Sequence, residues 1–231
     1  MVGLLIGCGS VPVEPPNPPS FRLAVLDFRV PDEWRNPEMP DRIDKELKGW
    51  WLSSRDIWHN PEVGRLAGDI FHHKISRLPF VNAVSRIDIK YYMANKRDLI
   101  RQALDRKRDQ LEATREPRDR AEADRLRALS EADYDRMLER LPPREIGLEL
   151  KADRVLVGRI HEGYLAHHRT FDLYWSYLDL EVNLVDVDTG RVVWHRRAQY
   201  KKNFASAAFV LELAADQMIE AMKYEYFYQP R

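Results

Sequence analysis

Histidine is the side chain best suited to bind a transition metal or move a proton near neutral pH. Of the seven in this chain, two stand as His72-His73, two as His167-His168, and His161 and His195 lie on predicted strands. His161 and His195 can meet across neighbouring strands. No HExxH is present and no cysteine lies near them to complete a zinc set, so these histidines read as surface or packed side chains. Asp27 stands near the end of the first predicted strand, the edge at which α/β folds often place active residues. A carboxylate there can equally accept nearby backbone N–H groups. It has no paired acid or nucleophile, and GxxxxGK, GxGxxG and GxSxG are absent. His195, Arg196, Arg197, Lys201 and Lys202 form a small basic cluster able to touch phospholipid or acidic glycan, although alternation along a strand divides it between two faces. We therefore expect no catalytic set, no metal and no cofactor.

The remaining reactive group is the only cysteine. Cys8 follows Leu4-Leu5-Ile6-Gly7 and precedes Gly9-Ser10. This resembles a bacterial lipobox, which implies cleavage before Cys8 and acylation of its thiol. Each buried methylene contributes about 0.8 kcal/mol, and two or more acyl chains anchor stably without a transmembrane helix. Val11 to Ser20 (VPVEPPNPPS) has the composition of a stiff, unfolded tether. The apolar run before Cys8 is shorter than a full signal core and carries no basic residue, so residues 1–7 read as a truncated signal remnant, 8–20 as lipidated cysteine and tether, and 21–231 as one domain. Gly9 lacks the aspartate associated with inner-membrane retention, which favours an outer-membrane location facing the periplasm.

The 231 residues carry no formal net charge, are 44% hydrophobic and 32% charged, and have a pI near 7. The positive field of a nucleic-acid binder is missing, and no stretch after residue 8 is long and apolar enough for a membrane helix. No second thiol exists, so disulfides within the chain are excluded.

The elements that must position these residues follow from periodicity. Phe21 to Arg29 alternates as a strand, and residues 62–78 carry Val63, Leu66, Ala67, Ile70, Phe71, Ile75 and Leu78 at helical spacing. Phe80 to Arg86 reads as a second strand, giving a βαβ-like opening. Between the first strand and the helix runs a long connection with Trp34, Trp50, Trp51 and Trp58, either a cover over the sheet or an exposed adhesive surface. Residues 95–141 are rich in Arg, Asp, Glu, Leu and Ala, with no glycine and a break at Pro117. They read as a charged helical insertion, with Ser130 and Asp133 resembling a capping box. Its narrow apolar stripe, including Leu111 and Leu126, must lean on the domain or on a partner. One further turn of helix is expected at 146–150 and a strand over 152–164. A hairpin of 174–186 and 191–200 turns at Asp188-Thr189-Gly190, and a helix spans 205–223. The fold class is α/β (α+β): a small mixed sheet with flanking helices.

The phrases RLAVLDF, IGLELKADRVLVGRI and LVDVDTGRVVW, in this order of elements, resemble the lipoprotein superfamily that includes the curli secretion protein CsgG, the penicillin-binding-protein activator LpoB and the TolB N-terminal domain. Leu150 to Gly158 and Leu184 to Val193 carry its scaffold phrases, with Lys151 where the family often has glycine. The resemblance implies a periplasmic lipoprotein and no catalytic residues. The two amphipathic hairpins of the curli pore have no counterpart here. The resulting expectation is a non-enzymatic, membrane-anchored lipoprotein whose α/β domain binds or activates another cell-envelope protein. Lipidation falls on Cys8, and Trp34, Trp50, Trp51, Trp58, Leu111 and Leu126 are the candidate partner contacts. Alternatives are a subunit of an oligomeric curli-like export complex, possible also as a homo-oligomer, and a metal-dependent or other hydrolase.

Overall fold

In the computed structural model, residues 18–35, 52–55, 62–114, 116–168 and 173–228 are described. Cys8, the tether up to residue 17, Trp50, Trp51 and Trp58 lie outside them. The strands are β1 (Phe21–Val25), β2 (Leu52–Arg55), β3 (Val81–Ala83), β4 (Arg154–His168), β5 (Leu173–Asp186) and β6 (Val192–Asn203). The helices are α1 (Glu62–Ile75), α2 (Arg86–Thr114), α3 (Pro117–Arg127), α4 (Glu131–Glu139), α5 (Pro143–Glu149) and α6 (Ala207–Met222). A 3-10 turn at Asp32–Arg35 follows β1, and a π-helical turn, Lys223–Phe227, continues α6.

The sheet is mixed, with order β3-β1-β4-β5-β6, and β2 pairs with the far end of β4. β1 is parallel to β3 and to β4, whereas β4-β5, β5-β6 and β2-β4 are antiparallel. The βαβ opening therefore forms as periodicity requires, with α1 as its crossover. The β5-β6 hairpin turns where expected, because Gly190 takes φ +70° and donates its N–H to Asp186 O at 2.8 Å. The Asp186 carboxylate accepts from both the N–H and the hydroxyl of Thr189 at 2.7 Å.

Side-chain alternation divides the sheet into two faces. One face sets Leu23, Val25, Leu156, Leu178, Leu180, Val182 and Leu184 against α1 and α6, which contribute Phe71, Ile75, Leu211 and Met218. The second face buries Ala24, Leu26, Val155 and Val187 beneath α5 and the first turns of α2, through Ile146 and Ile89. Each large apolar side chain so buried contributes about 1.5–3 kcal/mol.

Four sequence expectations need correction. The strand expected at 80–86 ends at Ala83, and the helical excursion begins at Arg86 rather than near 95. Ser85 sets that boundary, since its hydroxyl accepts the N–H of Ile87 at 3.2 Å, an N-terminal cap. β4 runs on to His168, well past residue 164. β2 lies within the connection read as loop, where Leu52–Arg55 pairs with the extension of β4. Trp34, one of the candidate partner contacts, is 6% exposed and belongs to the main core, the first of the two alternatives given for the tryptophan connection. Its large apolar ring acts there as cover for the sheet and not as an adhesive surface.

Gly158 sits where any β-carbon would enter the Phe28 ring. Gly158→Ala is expected to lower stability by about 1–3 kcal/mol through overpacking, read as a reduced urea midpoint with an unchanged slope.

Candidate functional site

The most prominent projecting feature is the helical excursion. α2 has 29 residues and no glycine or proline, so at 1.5 Å per residue it is about 43 Å long. Pro117 at the first turn of α3 has no N–H to lose there and reverses the chain. α3 and α4 then pack back along α2. Cross-helix ion pairs join Arg127 to Glu112 at 2.8 Å, Lys107 to Glu122 at 3.2 Å, Arg101 to Glu131 at 2.6 Å, and Arg97 to Glu131 and Asp135 at 2.8 and 3.0 Å. Exposed pairs of this kind contribute at most about 1 kcal/mol each; their effect is to select one register between helices with few apolar contacts. The Arg101 guanidinium also lies 5.0 Å from the Tyr134 ring centroid. Leu111 and Leu126 are half-buried on α2 and α3.

The base of this arm is seated firmly. Tyr92, Met93 and Leu141 pack against the second core, Lys96 pairs with Glu145 at 3.3 Å, and Arg29 donates to the carbonyl of Glu139. At the start of α4, the Asp133 carboxylate accepts from the N–H and hydroxyl of Ser130 at 2.8 and 2.7 Å and pairs with Arg136. These bonds, the Ser130 hydroxyl first, hold its pKa down to about 2.

Asp27 is a structural carboxylate. Arg86, 11% exposed at its side chain, pairs with Asp27, donates from Nε to Asp69 at 2.7 Å, and donates from Nη1 to the carbonyl of Val25 at 2.8 Å. One guanidinium thus joins the end of β1, helix α1 and the first residue of α2.

A second polar constellation covers the part of the sheet's second face that α5 does not reach. Asp179 is 3% exposed; Arg197 clamps it bidentately at 2.9 and 2.8 Å, and Gln199 donates at 3.2 Å. The Arg197 bonds, foremost among the causes, hold the Asp179 carboxyl below its ordinary range. Beside it, Glu181 lies 2.6 Å from His161 Nε2 and 3.8 Å from His195 Nδ1, and accepts from Asn183 at 3.0 Å. The Asn183 bond leads the causes that depress the Glu181 pKa. Contrary to the expectation from sequence, His161 on β4 and His195 on β6 do not lie on neighbouring strands; β5 runs between, and the two meet Glu181 from either side. Even so, among the described residues no group of three His, Cys, Asp or Glu is arranged to hold a metal ion.

The other candidates separate. His72 meets the carbonyl of Val84 at 3.1 Å, and burial lowers its pKa; His73 contacts Arg77 at 2.6 Å. The side chains of His167 and His168 fall outside the described residues. The basic cluster divides between faces, Arg197 to Asp179 and Arg196 to Glu225 at 2.5 Å. Sequence reasoning overlooked Arg86, Asp179 and Glu181. The signal for the last two was the acid-acid-amide alternation Asp179, Glu181, Asn183 along a strand facing His195, Arg197 and Gln199. Nothing local marked Arg86, whose partners Asp27 and Val25 lie 59 and 61 residues away.

Two outcomes are expected. Arg86→Ala should cost roughly 1.5–3 kcal/mol, the scale of hydrogen bonds to charged groups, measured by chemical denaturation. For Asp133, the folded pKa is depressed, so its stabilisation is present above the unfolded carboxyl value near 4 and is lost as pH falls toward about 2. The protection of α4 amides, taken relative to their intrinsic exchange at each pH, should fall over that window in the native protein and fall less in Asp133→Asn.

No family model matches the chain, and no curated protein matches its sequence significantly. Among solved structures, it is similar to lipoprotein GNA1162 from Neisseria meningitidis, with 9% identity and TM-score 0.39 over 89% of this chain and 99% of that one. It is also similar to the PelC dodecamer from Paraburkholderia phytofirmans, with 11% identity and TM-score 0.41 over 95% of each chain. Protein XCC0632 from Xanthomonas campestris has 11% identity and TM-score 0.42 over 90% of this chain and 87% of that one. At these identities and scores the likenesses assign neither family nor activity.

Proposed function

We propose that this protein is a non-enzymatic lipoprotein of the cell envelope, anchored through Cys8 at the periplasmic face of the outer membrane, whose α/β body binds or activates another envelope protein. The observation that carries the binding role is the α2-α3 arm. Its base is fixed by apolar packing and by Lys96–Glu145, whereas the ion pairs of its outer half run between its own helices. A long helical hairpin whose tip rests on itself offers a stiff surface at little ordering cost to a partner. Anchoring is supported by the Leu-Leu-Ile-Gly-Cys order and the proline-rich tether. The non-catalytic part is supported by the engagement of Asp27 with Arg86 and of Asp179 with Arg197, which leaves these carboxylates as acceptors in structural bonds.

Two experiments test the proposal. Cys8→Ser should move the protein from the membrane fraction to the soluble envelope fraction, with loss of the acyl mass on the N-terminal peptide; unchanged membrane retention would remove the anchor. Excision of residues 99–128, closed by a short Gly/Ser linker between Asp98 and Leu129, should abolish crosslinking to envelope proteins while leaving thermal unfolding cooperative. Undiminished crosslinking would remove the arm's role.

A further inference from the structure

The chain enters the body at an aromatic cluster built from three separate segments. Phe21, the first residue of β1, lies 5.2 Å from Phe227 and 6.2 Å from Phe80 between ring centroids. Phe80 meets Phe227 at 5.1 Å and Tyr228 at 6.0 Å, and Tyr228 meets Tyr224 at 6.2 Å. The π-helical turn Lys223–Phe227 makes this arrangement possible. Its wider winding sends Phe227 into the core while Tyr224 stays 67% exposed. The turn is locked from the sheet by Glu225, which accepts from Trp194 Nε1 at 2.9 Å and from Arg196 at 2.5 Å, and by Arg154, whose Nε donates to the Tyr226 hydroxyl at 3.3 Å.

We infer that this end of the body, presented by Tyr224 and Tyr228, rests on the lipid headgroup surface. The inference depends on the Cys8 anchor proposed above. From Cys8 to Phe21 there are thirteen residue steps, at most about 47 Å at 3.6 Å each, so the aromatic end stays within that reach of the bilayer. The opposite end of the sheet, where Ala166, Trp175 and Asn203 align, is twelve residues of β4 beyond Arg154. That is about 40 Å farther at 3.3 Å per residue. The tether joins the body at the aromatic end, which is therefore the end nearer to lipid when the body extends away from the bilayer, and tyrosine is the appropriate side chain there, because its ring partitions into the interfacial region while its hydroxyl stays hydrated. The surrounding charges are of both signs: Lys223 pairs with Glu220 at 2.7 Å, and Arg196 pairs with Glu225 at 2.5 Å. Contact with a zwitterionic surface follows, with little dependence on salt or on anionic lipid.

The test uses the full-length acylated protein reconstituted in phosphatidylcholine vesicles that contain a headgroup-quencher lipid. Acylation consumes the Cys8 thiol, the only one in the chain, so Glu220→Cys and Tyr224→Cys each offer a single site for a fluorophore, the first with both tyrosines intact. Lys202→Cys labels the far end. Quenching several-fold stronger at 220 and 224 than at 202, and unaltered by salt, is the expected result. Equal quenching at both ends, or a shielded but unquenched label at 220 and 224, would overturn the inference and leave the anchor standing. An intact mass showing no acyl group on Cys8 would overturn both.

Discussion

Strand β4 must satisfy two different environments along its length, and the rest of the architecture answers to that constraint. Over Val155 to Ile160 it lies between helices, with Leu156 and Ile160 in the main core and Val155 in the second. Gly158 is the point at which it must carry no side chain, because Phe28 occupies that space. Its N-terminal end pairs with β1, and its C-terminal end has left β1 behind and pairs instead with β2. A strand of this length cannot be covered by a 14-residue helix such as α1, about 21 Å long, so its far half continues as a β-ribbon with β5, β6 and β2.

The second face of the sheet shows how polar composition follows coverage. Where α5 and the root of α2 sit, the alternate positions are Ala24, Val155 and Val187. Where no described helix reaches, the same alternation delivers Asp179, Glu181 and Asn183. Unpaired, a carboxylate as shielded as Asp179 would be costly; Arg197 and Gln199 remove that cost by supplying three donors. The Asp179 carboxylate is then fully engaged within the sheet.

Arg86 connects this body to its projecting arm. It is the first residue of α2, and its guanidinium holds the end of β1 and helix α1 together. The orientation in which the arm leaves the body is therefore set by a charge-assisted network, reinforced by apolar contacts of Ile89, Tyr92 and Met93. Gly68, directly beside it, leaves the room that the Arg86 guanidinium and the Leu26 carbonyl occupy.

Much of the secondary structure was legible from short-range physics. The spacing of Ala67, Phe71 and Ile75, the alternation of Leu178 through Leu184, the Gly190 turn and the glycine-free charged run each depend on neighbours within a few residues, and each formed. Element boundaries were harder where a side chain decided them, as Ser85 did by capping α2. Four-residue β2 carried too little pattern to be seen, because its strand character comes from the extension of β4 alongside it. The tertiary structure alone decided which polar groups meet: Arg86 with Asp27, Arg197 with Asp179, His161 and His195 around Glu181. It also gathered Phe21, Phe80 and the C-terminal tyrosines at one end. Periodicity and turn chemistry are local, whereas these meetings depend on strand order and register, through which residues far apart in the chain become neighbours.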